Sequence, residues 1–251
     1  MAKHAPSAVR FLPNMLTVLG LCAGLSVVQF VYRGRLSLAV AAIAAAAVLD
    51  AVDGTVARLL GAASKLGAEL DSLSDSAAFG IAPALALYIW TLHTRSFGWA
   101  VSVTFAVCVA LRLARYNAML DDAEQVPFAK KFFAGVPAPI GGLLAMVPMT
   151  MTARWGEGWW SSTVLVSVWT VLTAVLLVSR IPTMSLKGMS LSSRAVKPLF
   201  VVAALAAVAF TTNPLGASVC LMFIYLLHVP YAAHRHYRLS KEVARSSSDE
   251  R

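Results

Sequence analysis

The chain alternates between long apolar runs and short polar breaks, and many of the runs are long enough to cross a membrane. A helix needs about 20 residues to span a hydrocarbon core of ~30 Å. Runs near that length fall at about 13–31, 36–58, 67–92, 97–118, 136–153, 160–179, 197–212 and 214–231. The last two are short and lie nearly end to end. Alternating strands of about ten residues, which a membrane barrel requires, are not seen. The pattern predicts an all-α, polytopic membrane helix bundle of about eight transmembrane helices. Lys3 and Arg10 precede the first run without a clear small-residue cleavage site, so it reads as a retained helix.

Composition agrees. Of 251 residues, 59% are hydrophobic, against about 45–50% in soluble domains. Residues 1–233 read as one membrane domain and 234–251 as a basic, disordered cytosolic tail. The formal charge of +9 would raise nucleic acid as a partner in a soluble protein. Here the lipid bilayer explains it, because basic residues gather in cytoplasmic loops and meet anionic headgroups. Of the 21 lysines and arginines, all but Arg33, Arg35, Arg95 and Arg154 fall on one side of the predicted spans. That places both termini in the cytoplasm. Trp99, Trp155, Trp159 and Trp160 mark the opposite interface. Cys22, Cys108 and Cys220 are too widely spaced for a zinc site or a disulfide framework, and read as small packing residues.

The acidic residues change the picture most. There are 12 in the chain, and Asp50, Asp53, Glu69, Asp71 and Asp75 crowd into one short stretch of it. An aspartate near the bilayer centre costs roughly 2.5–3.5 kcal/mol on insertion scales, so four of them need a reason. Asp50 and Asp53 are i, i+3 on one helix; Asp71 and Asp75 are i, i+4 on the next. A short turn around Gly61 to Lys65 makes those helices antiparallel neighbours. Asp50 sits about 21 Å along its helix at 1.5 Å per residue, past the midplane toward the cytoplasm. Asp71 and Asp75 enter from the same side, so the four can meet at one depth. Together they cannot stay ionised without cations. An all-carboxylate set favours a hard ion such as Mg²⁺, Mn²⁺ or Ca²⁺. Spacing alone leaves two other readings open: an ion or proton pathway, and structural pairing, for instance with Arg58.

The full run reads Asp50-x-x-Asp53-Gly54-x-x-Ala57-Arg58, eight residues, then Gly67-x-x-x-Asp71-x-x-x-Asp75. It resembles the signature of the CDP-alcohol phosphotransferase family, with every fixed position present. Pro13-Asn14-Met15-Leu16-Thr17 resembles the family's first-helix motif. The segments Leu70 to Asp75, Phe79 to Ala84, Ala110 to Asn117 and Phe133 to Pro139 resemble the branch that uses serine. The resemblance implies reaction of CDP-diacylglycerol with L-serine to give phosphatidylserine and CMP, in an integral membrane homodimer with its site facing the cytoplasm. It further implies two divalent ions, Mg²⁺ or Mn²⁺, on Asp50, Asp53, Asp71 and Asp75, with Asp75 also the general base. Gly54, Ala57 and Gly67 are expected to admit the nucleotide. Arg58, Ser64, Asn14 and Thr17 are candidates for phosphate or nucleotide contacts. Arg112 and Arg115 are candidates for the serine carboxylate or a lipid phosphate. The alternatives are another acceptor (glycerol phosphate, inositol phosphate or choline) and, more distantly, an ion-coupled transporter.

Overall fold

The computed structural model describes residues 7–61, 64–121, 132–134, 136–179, 182–184 and 212–227. Helix α1 (Ser7–Tyr32) and helix α2 (Leu36–Leu59) form an antiparallel pair. Gly61 follows the last turn of α2 at φ +56°, a left-handed position that suits a residue without a Cβ. Helix α3 (Lys65–Asp75) begins on Ser64, whose hydroxyl accepts the Gly67 N–H at 3.0 Å. That is a side-chain N-cap. A π-helical turn, Ser76–Ile81, then leads without a break into α4 (Ala82–Trp90). Helix α5 (Gly98–Asp121) follows. Helices α6 (Ala138–Ala145) and α7 (Val147–Trp155) meet at Met146, and α8 (Thr163–Val178) and α9 (Pro214–Leu227) complete the described helices. Strands β1 (Phe132–Ala134) and β2 (Pro182–Met184) pair antiparallel, a short ribbon that the apolar pattern does not announce.

Four stretches are long and apolar enough to cross a membrane: Leu12–Tyr32, Leu36–Leu59, Lys65–Trp90 and Gly98–Ala118. They match the first four predicted spans to within a few residues. The fifth predicted span, 136–153, is two helices instead of one. Pro148 has no N–H to continue the ladder of α6, so the helix ends and restarts there. The seventh, 197–212, lies outside the described residues apart from Thr212, and the tail 234–251 lies outside them altogether.

The interior is filled by Phe79, Leu87, Phe105, Leu144, Met149 and Leu177, none more than 1% exposed. Large apolar residues also cover the outside, among them Val48, Val103, Val168, Val175 and Ile224. A bundle apolar on both sides is built for lipid. Cys22 and Cys220 belong to that outer surface and not to the packing expected of them. A thiol is apolar enough to face hydrocarbon.

The two ends of the bundle differ. At one end Thr91 and Thr94 bond Thr163, and Arg154 bonds Asn213. Trp99, Trp155 and Trp159 are exposed there. At the other end lie the α2–α3 turn and the bond from Arg115 to Val178 O. The aspartates sit toward this second end.

The π turn positions the site. It starts directly after Asp75, and Ala82 N–H reaches back to Ala77 O. Its wider winding is seated on glycines of its neighbours. A Cβ on Gly24 of α1 would overlap Ala78, and one on Gly142 of α6 would lie 3.0 Å from Phe79 O. Such turns re-aim the side chains around them, and here the residue at the junction is an aspartate of the cluster.

Candidate functional site

Helix α2 brings Asp50 and Asp53 to one face, and α3 brings Asp71 against them. One carboxylate oxygen from each of these three lies within 4.8 Å of the others. Oxygen ligands about 2.0–2.6 Å from a single ion are at most about 5 Å apart, so one hard divalent cation fits the three. Asp75 stands outside this trio. Its carboxyl lies against that of Asp50, and two acids at that range favour a cation between them. Among the described residues, the cation facing this pair is Arg112. Three of the four carboxyls therefore converge on a site that fits one hard cation, and Asp75, expected among the ligands, stands one step aside.

Asp53 is 4% exposed, and its orientation is fixed from α1. The Thr17 hydroxyl lies 2.7 Å from Asp53 Oδ2 and 3.1 Å from Pro13 O. The carboxylate is the nearer and stronger acceptor. Thr17 was a candidate nucleotide contact; its hydroxyl is committed to a member of the trio. Groups that orient metal ligands typically carry a 10–100-fold effect on affinity. Thr17→Val is accordingly expected to weaken Mn²⁺ binding about tenfold, and Thr17→Ser to retain most of it. Isothermal titration of the purified protein in detergent checks this, and equal Mn²⁺ affinity in Thr17→Val and wild type would refute it.

A cleft of about 150 Å³ opens beside Asp53 and Asp71. Asn14, Thr17, Gly54, Ala57, Ser64 and Gly67 line it, so six of the sequence candidates come together in one wall. Nothing lies within 4 Å of a Cβ built on Gly54, which leaves that part of the cleft open. A Cβ on Gly67 would sit 3.1 Å from both Asn14 Oδ1 and Ser64 Oγ. The glycine keeps those polar atoms close to the helix backbone.

The three arginines part company. Arg58 is exposed, reaches Thr55 Oγ1 at 3.4 Å, and is not in the wall of the cleft. Arg115 spends Nη1 on Val178 O at 2.9 Å and so ties α5 to the end of α8. Arg112 is 7% exposed and faces Asp75, with its guanidinium carbon 5.7 Å from the centre of the Tyr116 ring.

Two polar groups join the site that the sequence reading did not single out as candidates. Ser74 Oγ is buried among the aspartates and has no hydrogen-bond partner among the described residues. Asn117 Nδ2 donates to Ser72 Oγ at 2.8 Å, holding α5 to α3. Both serines lie within the run Leu70 to Asp75, where their place between Asp71 and Asp75 was the available signal.

A family model described as CDP-alcohol phosphatidyltransferase matches residues 10–179. The chain is 42% identical over 224 residues to the CDP-diacylglycerol–serine O-phosphatidyltransferase of Mycobacterium bovis, covering 89% of this chain and 78% of that one. It is 40% identical over 226 residues to the protein of the same name from Mycobacterium leprae, covering 90% and 75%. The Helicobacter pylori protein of that name is 29% identical over 217 residues, covering 86% and 88%. Signature, helical fold and carboxylate geometry agree with these matches, and the chain belongs to the CDP-alcohol phosphatidyltransferase family.

Proposed function

We propose that this protein transfers the phosphatidyl group of CDP-diacylglycerol to the hydroxyl of L-serine, releasing phosphatidylserine and CMP. The observation that carries the chemistry is the convergence of Asp50, Asp53 and Asp71 beside a cleft walled by small residues. The serine acceptor is supported by the name shared by the relatives from both mycobacteria and Helicobacter pylori. The distribution of Lys and Arg supports a site facing the cytoplasm, and the bacterial sources of the relatives support a prokaryotic plasma membrane.

Divalent cations, Mg²⁺ or Mn²⁺, held by Asp50, Asp53 and Asp71 with Asp75 beside them would neutralise the pyrophosphate and the charge on departing CMP. The residues of the chain do the rest. Gly54, Ala57 and Gly67 let the nucleotide approach the helices, with Asn14 and Ser64 as polar partners. An apolar cavity of about 480 Å³ runs along the neighbouring face of α2, lined by Ala47, Ala51, Met146 and Met222 among others, and suits acyl chains. Asp75 accepts the proton of the serine hydroxyl as its oxygen attacks the phosphorus bearing the diacylglycerol. The bond from that phosphorus to the CMP oxygen breaks, and CMP leaves with the electron pair. A free hydroxyl is a weak nucleophile, so alignment and proton removal must come from the site.

The test is release of CMP from CDP-diacylglycerol by the purified protein in mixed micelles, with serine, glycerol 3-phosphate, inositol phosphate or choline as acceptor. Release is expected to depend on serine and on Mg²⁺ or Mn²⁺. A faster reaction with another alcohol would displace serine and keep the family chemistry. No release with any acceptor would remove the transferase reading.

A further inference from the structure

Arg112 is the buried cation of this bundle that the transfer chemistry leaves without a task. It is 7% exposed, and its Nε is buried with no hydrogen-bond partner among the described residues. A guanidinium taken out of water needs its donors satisfied, and an unmet one is costly. Its setting limits what can satisfy it. Asp75 and Asp50 are the carboxyls it faces. Both belong to the acidic cluster that the proposed chemistry commits to metal and proton. The Tyr116 ring centre lies 5.7 Å from the guanidinium carbon, a cation–π distance. Arg115, one turn on, also keeps a buried, unpartnered Nη2, but Nη1 ties it to Val178 O and it is Arg112 that faces the acid pair. A buried, unmet N–H therefore lies beside the residue that takes the proton from the acceptor.

We infer that Arg112 holds the carboxylate of the acceptor amino acid and so selects serine over alcohols that lack an acid group. This rests on the serine reading given above. In serine only two carbons separate the hydroxyl from the carboxyl group. A hydroxyl placed at Asp75 thus puts the carboxylate within a residue's width of it, on the side where Arg112 stands. Guanidinium donors match a carboxylate in a planar, two-pronged contact, and a free Nε makes one prong available. The bound carboxylate would also offset the charge of Arg112, which among the described residues faces acids that the reaction needs for other purposes.

The test compares L-serine with L-serinamide, which keeps the hydroxyl, the amine and the shape but replaces the carboxylate with a neutral amide. CMP release from CDP-diacylglycerol is followed at saturating metal. In the wild type, kcat/KM for serine is expected to exceed that for serinamide by about 100-fold, the scale of a buried charge-paired contact. In Arg112→Gln that ratio is expected to fall to within a few-fold of unity, with the change in the KM for serine and not in that for CDP-diacylglycerol. Arg112→Lys keeps the charge and loses the fork, and is expected to fall between them. It also serves where Arg112→Gln does not fold. Mn²⁺ affinity, measured by titration, separates this role from simple charge balance: an Arg112 that only balanced the acids would change Mn²⁺ affinity in Arg112→Gln and leave the serine-to-serinamide ratio as it is in the wild type, which would overturn the inference.

An unchanged serine-to-serinamide ratio in both variants would overturn the inference. So would a rise confined to the KM for CDP-diacylglycerol, which would make Arg112 a lipid phosphate contact. Collapse of the ratio in Arg115→Gln, with Arg112→Gln unaffected, would overturn the choice of residue. If the wild-type protein releases CMP with another alcohol and not with serine, the serine reading fails, and this inference with it.

Discussion

Asp75→Asn is expected to lower CMP release by about 10³–10⁴-fold while the protein stays folded. Asparagine has nearly the shape of aspartate and can donate to Asp50, so the contact between α2 and α3 survives in altered form. It cannot accept the proton of the attacking hydroxyl. The loss should lie in kcat, because a group that acts only in the transition state leaves substrate binding almost alone. Thermal unfolding in detergent should match wild type. Mn²⁺ affinity should change little, because Asp50, Asp53 and Asp71 converge without Asp75. Turnover close to wild type would refute the base assignment. A large loss of Mn²⁺ affinity would make Asp75 first of all a metal ligand, with the proton going elsewhere.

Removal of metal should have an effect of the same order. Exhaustive chelation is expected to abolish CMP release, and Mg²⁺ or Mn²⁺ to restore it. Asp71→Asn should mimic chelation without being rescued at those metal concentrations. Asp71 is the one member of the trio supplied by α3, and it lines both the cleft and the hollow around the acids. Neutralising it removes one of three ligands and the bridge between helices. It should also abolish the rise in unfolding temperature that Mn²⁺ gives the wild type, a readout independent of turnover. Activity that persists after complete chelation would refute the metal assignment.

These two effects exceed that of Thr17→Val for a structural reason. Thr17 touches a ligand and not the ion, so it adjusts Asp53 without replacing it. Arg58 illustrates the limit of a motif. It occupies a fixed position of the signature, yet it is exposed and bonded to Thr55, one turn away on its own helix. A role at a phosphate would require it to swing toward the cleft when substrate arrives.

Much of the fold was legible because its signals are local. Leu12–Tyr32, Leu36–Leu59, Lys65–Trp90 and Gly98–Ala118 declare themselves by length and apolarity, since a membrane demands both within a single stretch of chain. The i, i+3 and i, i+4 spacings of the aspartates fix which acids share a face, because helical periodicity is a property of one helix. The small residues Gly54, Ala57 and Gly67 marked the wall of the cleft for the same reason.

What the sequence determined by itself was therefore the first four spans, the helix faces that the acids share and the family signature that joins them. Only the tertiary structure decided how the acids divide, with Asp50, Asp53 and Asp71 together and Asp75 set beside Asp50. It also turned Thr17 to Asp53 across 36 positions of sequence and separated buried Arg112 from tethered Arg115. The π turn after Asp75 belongs to the same class, held by the close approach of Gly24 and Gly142 from two other helices. Each depends on how a helix is rotated about its axis and how closely its neighbour can approach. Those quantities are set by packing between distant segments, and linear spacing does not encode them.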